Sequence, residues 1–120
     1  MIISKNSIKI TATLLAKNEE DIIGANIEHH LSHGVDCFII TNNNSTDKTR
    51  QIVEKYPEVK EIIDENEDDH NQSKWVTRMA QIACKMETDW VVHLDADELW
   101  CGLTELRNCK ENLGGSNKMF

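Results

Sequence analysis

Residues 90–98 read Trp90-Val91-Val92-His93-Leu94-Asp95-Ala96-Asp97-Glu98, an apolar run that ends abruptly in three carboxylates. The run predicts a β-strand, and the carboxylates mark its end. On extended backbone Asp95 and Asp97 point to the same side, because side chains alternate. Two like charges that close raise each other's proton affinity unless a cation compensates them. Oxygen-only ligands favour a hard ion such as Mg²⁺ or Mn²⁺, and two carboxylates leave positions open for water and a substrate phosphate. The plain alternative is a solvated acidic turn, and a D-x-D taken alone does not separate the two. The residues at the ends of the other strands do.

Upstream, Trp75, Met79, Ile82, Ala83 and Met86 recur at helical spacing and predict a helix with one buried stripe. It comes after a strongly acidic connection, Asp64 to Asn71. Before that come strand-like Ile8 to Leu15 and a helix with Ile23, Ile27 and Leu31 at spacing four. Asn18 would cap this helix, Glu19-Glu20-Asp21 would supply an acidic first turn, and Gly34 would end it. Val35 to Thr41 is continuously apolar, which suits a strand covered on both faces. Asn42-Asn43-Asn44 reads as a loop. Ser45 or Asp47 then caps a helix carrying Thr49, Ile52, Val53 and Tyr56, which stops at Pro57, and Val59 to Ile63 is a further strand.

The order β-α-β-α-β-α-β with short links predicts parallel strands, right-handed crossovers and an α/β sandwich. Ligands of such sheets sit beyond the carboxyl ends of the strands, near the switch in strand order. Three polar clusters stand at strand ends: Lys17-Asn18-Glu19, Asn42 to Asp47, and Asp95 to Glu98. Residues 1–107 read as one domain, with a helical turn at Leu103 to Leu106, and 108–120 as a flexible tail.

The bulk numbers set the class. The chain has 120 residues, 39% hydrophobic and 28% charged, as a globular domain requires. A formal charge of −8 argues against a nucleic-acid partner. No run approaches the roughly 18–20 apolar residues of a membrane span, and the N-terminus lacks a signal-peptide core. Cys37, Cys84, Cys101 and Cys109 show no C-x-x-C spacing and read as buried free thiols, so the expected compartment is the cytoplasm.

Within the clusters, two readings stay open. Lys17-Asn18-Glu19-Glu20 is either an ordinary helix N-cap or a nucleoside contact, and Asn42 to Asp47 either a turn-rich loop or a partner for base and ribose. Lys74 and Arg78 could meet a diphosphate or pair with the preceding acidic run. Trp75 is expected in the core. His29 and His33 lie one helical turn apart, but no H-E-x-x-H motif or third ligand accompanies them, so they read as exposed helix residues. His93, between Val92 and Leu94, reads as a satisfied interior histidine.

Three ordered stretches, Leu14-Leu15-Ala16-Lys17-Asn18-Glu19-Glu20, Asn43-Asn44-Ser45-Thr46-Asp47-Lys48-Thr49 and Trp90 to Trp100, together resemble the family 2-type glycosyltransferases over residues 8–101. The bacterial subgroup with a K-N-E-x-D opening and an L-D-x-D-E-F/L-W motif is the most similar. The resemblance implies a GT-A fold, of which this chain would be the Rossmann-like nucleotide-binding half, and metal-dependent sugar transfer from a nucleotide-sugar donor (UDP-, GDP- or dTDP-linked) to a glycan, lipid or protein acceptor. It implies Asp97 as the main metal ligand for Mn²⁺ or Mg²⁺, with Asp95 contacting metal-bound water or ribose. It further implies that Ala16, Lys17, Asn18 and Glu19 hold the nucleoside together with Asn42 and Asn43.

Many relatives carry Asp-Asp-Gly where this chain has Asn42-Asn43-Asn44, which leaves the nucleotide open. Family members continue well beyond the metal motif, so the chain reads as C-terminally truncated, without an assignable catalytic base among Glu98, Glu105 and Glu111. The rival readings are a non-catalytic nucleotide- or metal-binding module derived from such an enzyme, and another metal-dependent α/β enzyme. A phosphohydrolase would place its D-x-D after the first strand, and a nucleotidyltransferase would open with a Gly-rich loop; neither is present.

Overall fold

Alternation along each strand sorts the apolar side chains onto two faces of one sheet. In β1 (Ile10–Ala16), Ile10, Ala12, Leu14 and Ala16 face one core, with Phe38 and Ile40 of β2 (Cys37–Asn43) and Trp90, Val92 and Leu94 of β4 (Trp90–Asp95) beside them. Helices α1 (Ile23–Ser32) and α2 (Thr49–Val53) contribute Ile23, Ile27 and Val53 to that core. On the opposite face Ile39 and Val91 pack on Met79, Ala80 and Ala83 of α3 (Gln72–Cys84). Strand β3 (Val59–Glu65) is half-exposed at the sheet margin. The computed structural model describes residues 8–67 and 72–99, together with the backbone of Lys118–Met119, which forms a short strand β5.

The strand order is β3-β2-β1-β4-β5, and every neighbouring pair is parallel. The α/β, Rossmann-like class expected from the sequence is the observed one. β1 lies at the centre, paired with β2 through Ala16↔Asn42 and with β4 through Leu15↔Asp95. Connections run outward from β1 to β2 and β3, then return across the sheet through α3 to β4. The switch in strand order therefore falls between β1 and β4. Trp100, Leu103 to Leu106, Cys101, Cys109 and most of 108–120 lie outside the described residues. No helix among the described residues is long and apolar enough to cross a membrane.

Several boundaries differ from expectation. Regular α1 starts at Ile23, with no acidic residue in its first turn and no side-chain cap. Residues 18–20 are instead drawn onto the loop after β2. There the Asn18 amide donates to Ser45 Oγ (3.0 Å), the Glu19 amide to Thr49 Oγ1 (2.8 Å) and the Glu20 amide to Asp47 Oδ2 (3.2 Å). Reciprocally, Asn18 Oδ1 accepts from the Thr46 amide (2.7 Å) and Glu20 Oε1 from the Lys48 amide (2.9 Å). Asn18 and Asn44 take left-handed φ values of 52° and 55°, which Asn tolerates in such turns.

Asn42 and Asn43 are not in a loop. They close β2, in register with Asp64 and Glu65 of β3. Helix α2 spans five residues and ends at Val53, ahead of Pro57. Cys37 is a buried free thiol as expected, whereas free Cys84 is exposed on the outer side of α3.

His30 is fully buried, and burial above all holds its proton affinity below that of a free imidazole. The unfolded chain then binds a proton that the folded chain refuses, so stability is full above about pH 6.5 and falls as pH drops through it. The urea midpoint should be flat between about pH 7 and 8 and decline below 6.5, with a shallower decline in His30→Gln. Thr49→Val should cost about 1–3 kcal/mol in urea denaturation by stranding the Glu19 amide, whereas Ser45→Ala, in an exposed bond, should cost less than about 1 kcal/mol.

Candidate functional site

The two strands that flank the topological switch end in different chemistry. β1 delivers Ala16, Lys17 and Glu19, and β4 delivers Asp95 and Asp97. Between them lies an open cavity of about 260 Å³, reached also by Asn43 from β2 and closed on one side by Trp75 and Gln72 of α3. Trp75 is buried as expected, so one edge of the core forms a wall of the cavity. Two wider hollows, about 580 and 510 Å³, lie on the outer surface of α3 around Thr77 and Gln81 and have no carboxylate in their walls.

Asp95 and Asp97 line the same cavity, but not by strand alternation. β4 ends at Asp95, and Ala96-Asp97 form a turn closed by the Glu98 amide donating to Asp95 O at 3.0 Å. The Glu98 carboxylate folds back and accepts from the Asp95 amide at 2.9 Å. Glu98 thus braces the turn. Both aspartate side chains are exposed at the cavity, and buried Ala96 pins the turn to the core.

Glu19 feels this crowding. Burial raises its proton affinity first, and the carboxylates of Asp97 and Asp47 raise it further. His93 is half-buried with Nδ1 3.0 Å from Thr13 Oγ1, the satisfied interior histidine expected, and burial lowers its proton affinity against the opposing pull of Asp95 and Glu98.

The remaining predicted residues divide. Lys17 and Glu19 side chains are at the cavity and make no bond between the loops, whereas the Asn18 side chain is engaged by Thr46. Asn42 lies outside the cavity wall. Its Nδ2 donates to Asp64 Oδ1 (3.0 Å), a bond that leads, with help from Arg50, in holding the Asp64 carboxyl below the usual range. Asn43 Nδ2 donates to the carbonyls of Glu65 (3.1 Å) and Glu67 (2.9 Å), tying β2 to the end of β3 and to the segment after it. Arg78 pairs with Glu65 at 2.7 Å, the acidic-run partner anticipated, and Lys74 is exposed on α3. His29 and His33 are partly buried rather than exposed, their rings stacked at 4.2 Å.

Among the described residues no three His, Cys, Asp or Glu side chains converge into a ready metal cage. The Asp95–Asp97 pair offers oxygen donors only, at a cavity rim open to water. That donor set fits a hard divalent ion which completes its shell with water and phosphate oxygens.

Sequence reasoning missed Asn26 and His30, both buried in α1. The Asn26 amide nitrogen donates to the carbonyls of Ala96 and Glu98, both at 2.8 Å, with Asp95 O at 3.4 Å. The signal was available: Asn26 and His30 fall three and seven residues after Ile23, on the very stripe that Ile23, Ile27 and Leu31 define. A polar pair on an apolar stripe must find partners inside.

Comparison with curated proteins finds none that matches the chain. Comparison with family models finds one that does, described as glycosyl transferase family 2, over residues 12–101. That span opens within β1, covers all three strand-end clusters and passes the Asp95–Asp97 turn, most of the chain. The chain belongs to glycosyl transferase family 2.

Proposed function

We infer that this chain binds a nucleotide-sugar donor at the β1/β4 switch point, with a divalent cation, Mn²⁺ or Mg²⁺, held at Asp95 and Asp97, and that it supplies the donor half of a sugar transfer. The observation that carries the reading is convergence: Lys17, Glu19, Asn43, Asp95 and Asp97 come from three separate strand ends to one cavity. An acidic turn with no ligand role would not require the other two ends to meet it.

In this reading the residues divide the donor between them. Lys17 offers the cationic side chain of the wall to phosphate oxygens. Trp75 and Ala16 supply apolar surface. Ala16 to Glu19 and Asn43 hold the nucleoside. Asn42 takes no part in this division: it lies outside the cavity wall, with its Nδ2 bound to Asp64 Oδ1.

A cation at Asp95 and Asp97, when bound, would neutralise negative charge gathering on the departing diphosphate. Asp97, which makes no hydrogen bond or ion pair among the described residues, is the freer of the two carboxylates to serve it. Glu98 is occupied with the Asp95 amide and is a poor choice for a general base. We assign no base.

Calorimetric titration of the chain with UDP, GDP and dTDP tests this. One of the three should bind only with Mn²⁺ or Mg²⁺ present, and Asp97→Asn should weaken that binding by at least about tenfold, or about 1.4 kcal/mol. Nucleotide binding that ignores both the metal and the substitution would remove Asp97 from the site. Donor hydrolysis with Mn²⁺, absent in Asp97→Asn, would extend the reading from binding to chemistry.

A further inference from the structure

We propose that Asn26, locked in orientation by His30, is the positioning residue that sets the Asp95–Asp97 carboxylates for a divalent cation; the proposal rests on the cation reading above. Asn26 is 1% exposed and His30 fully buried, on a helix that carries neither of the carboxylates. Polar groups so deep are stable only when each atom is matched.

The matching fixes which way the Asn26 amide points. Ala96 O, Glu98 O and Asp95 O all face Nδ2, and carbonyl oxygens accept only. A flipped amide would set its oxygen against all three. On the other side Oδ1 lies 3.0 Å from His30 Nδ1, which is also 2.9 Å from Asn26 O. Both neighbours of Nδ1 are acceptors, so this nitrogen carries the proton and donates. The chain of contacts therefore has one polarity: His30 N–H to Asn26 oxygen, Asn26 N–H to the turn.

What the amide grips is backbone, on both sides of Asp97. The carbonyls of Ala96 and Glu98 flank that residue, and its own side chain stays unengaged toward the cavity. Glu98 closes the same turn from within, through its amide and its carboxylate. Internal closure sets the shape of the turn, whereas Asn26 sets its place relative to α1 and the sheet. A cation site made of two carboxylates on a four-residue turn has few other means of holding its geometry.

Mn²⁺ alone is the probe, with free Mn²⁺ read from its electron paramagnetic resonance signal, and hydrogen exchange of the metal-free protein is read alongside. Asn26→Ala should weaken Mn²⁺ binding by about tenfold or more, the scale on which residues supporting a ligand act. Exchange of the Asp95 and Glu98 amides should quicken by about tenfold while the amides of Ala12 to Leu14 in central β1 keep their rates. A purely structural Asn26 would lower the melting temperature, speed exchange throughout the sheet and leave the Mn²⁺ affinity of the folded protein unchanged.

His30→Leu fills the same space without the donor. It should weaken Mn²⁺ binding in the same direction by a smaller factor, and it serves if Asn26→Ala does not fold. Mn²⁺ affinity within about twofold of the parent in every folded variant overturns the proposal. A parent chain that binds no Mn²⁺ overturns the cation reading and this proposal together, so the two failures are told apart by the parent titration.

Discussion

The arrangement of this chain depends on β1 having a parallel neighbour on each side. With β2 on one flank and β4 on the other, the chain must leave β1 in one direction and come back in the other. The carboxyl ends of β1 and β4 are then adjacent while their outgoing segments diverge, and a gap opens between them. Lys17, Glu19, Asn43, Asp95 and Asp97 reach that gap because of where their strands end, and Trp75 and Gln72 reach it from α3. The apolar alternation of β1 makes this placement firm: four of its side chains are buried in one core, and a one-residue slip would turn all of them to the other face.

The fold was legible because the two periodicities are clean. Val35 to Thr41 and Trp90 to Leu94 read as buried strands, the first of which begins at Cys37, and the stripe from Trp75 to Met86 read as a helix with one apolar side, which runs to Cys84. What remained hidden was where the loops bond. Asn18-Glu19-Glu20-Asp21 has the composition of a helix start, yet its amides find hydroxyl and carboxylate oxygens of residues 45, 47 and 49, some thirty positions away in the chain. Local propensity has no access to such partners. The same holds for Asn42 and Asn43, turn-formers by composition, which are kept in β2 by Asp64 and by the carbonyls of Glu65 and Glu67.

The site was legible in its carboxylates and opaque in its supports. Asp95 and Asp97 announce themselves by charge after an apolar run. Their alternation on extended backbone was the wrong reason for a correct convergence, since a turn brings them to the cavity. Asn26 and His30 are quieter: short polar residues on a buried stripe, visible only when the stripe is read position by position. Burial makes them consequential, because an unmatched polar atom there costs far more than one at the surface.

The cross-bonded loops after β1 and β2 have a consequence for how such a sequence can drift. Ser45, Asp47 and Thr49 grip backbone amides of 18–20, and a backbone amide is present whichever residue stands there. Asn18 and Glu20 return bonds through their side chains, and are tied to the partner loop. Lys17 and Glu19 return none. Mutation can exchange those two side chains, both facing the cavity, while the scaffold under them stays in place. The fold thus separates residues that must stay from residues that may be retuned, and it puts the second kind where a ligand would feel the change.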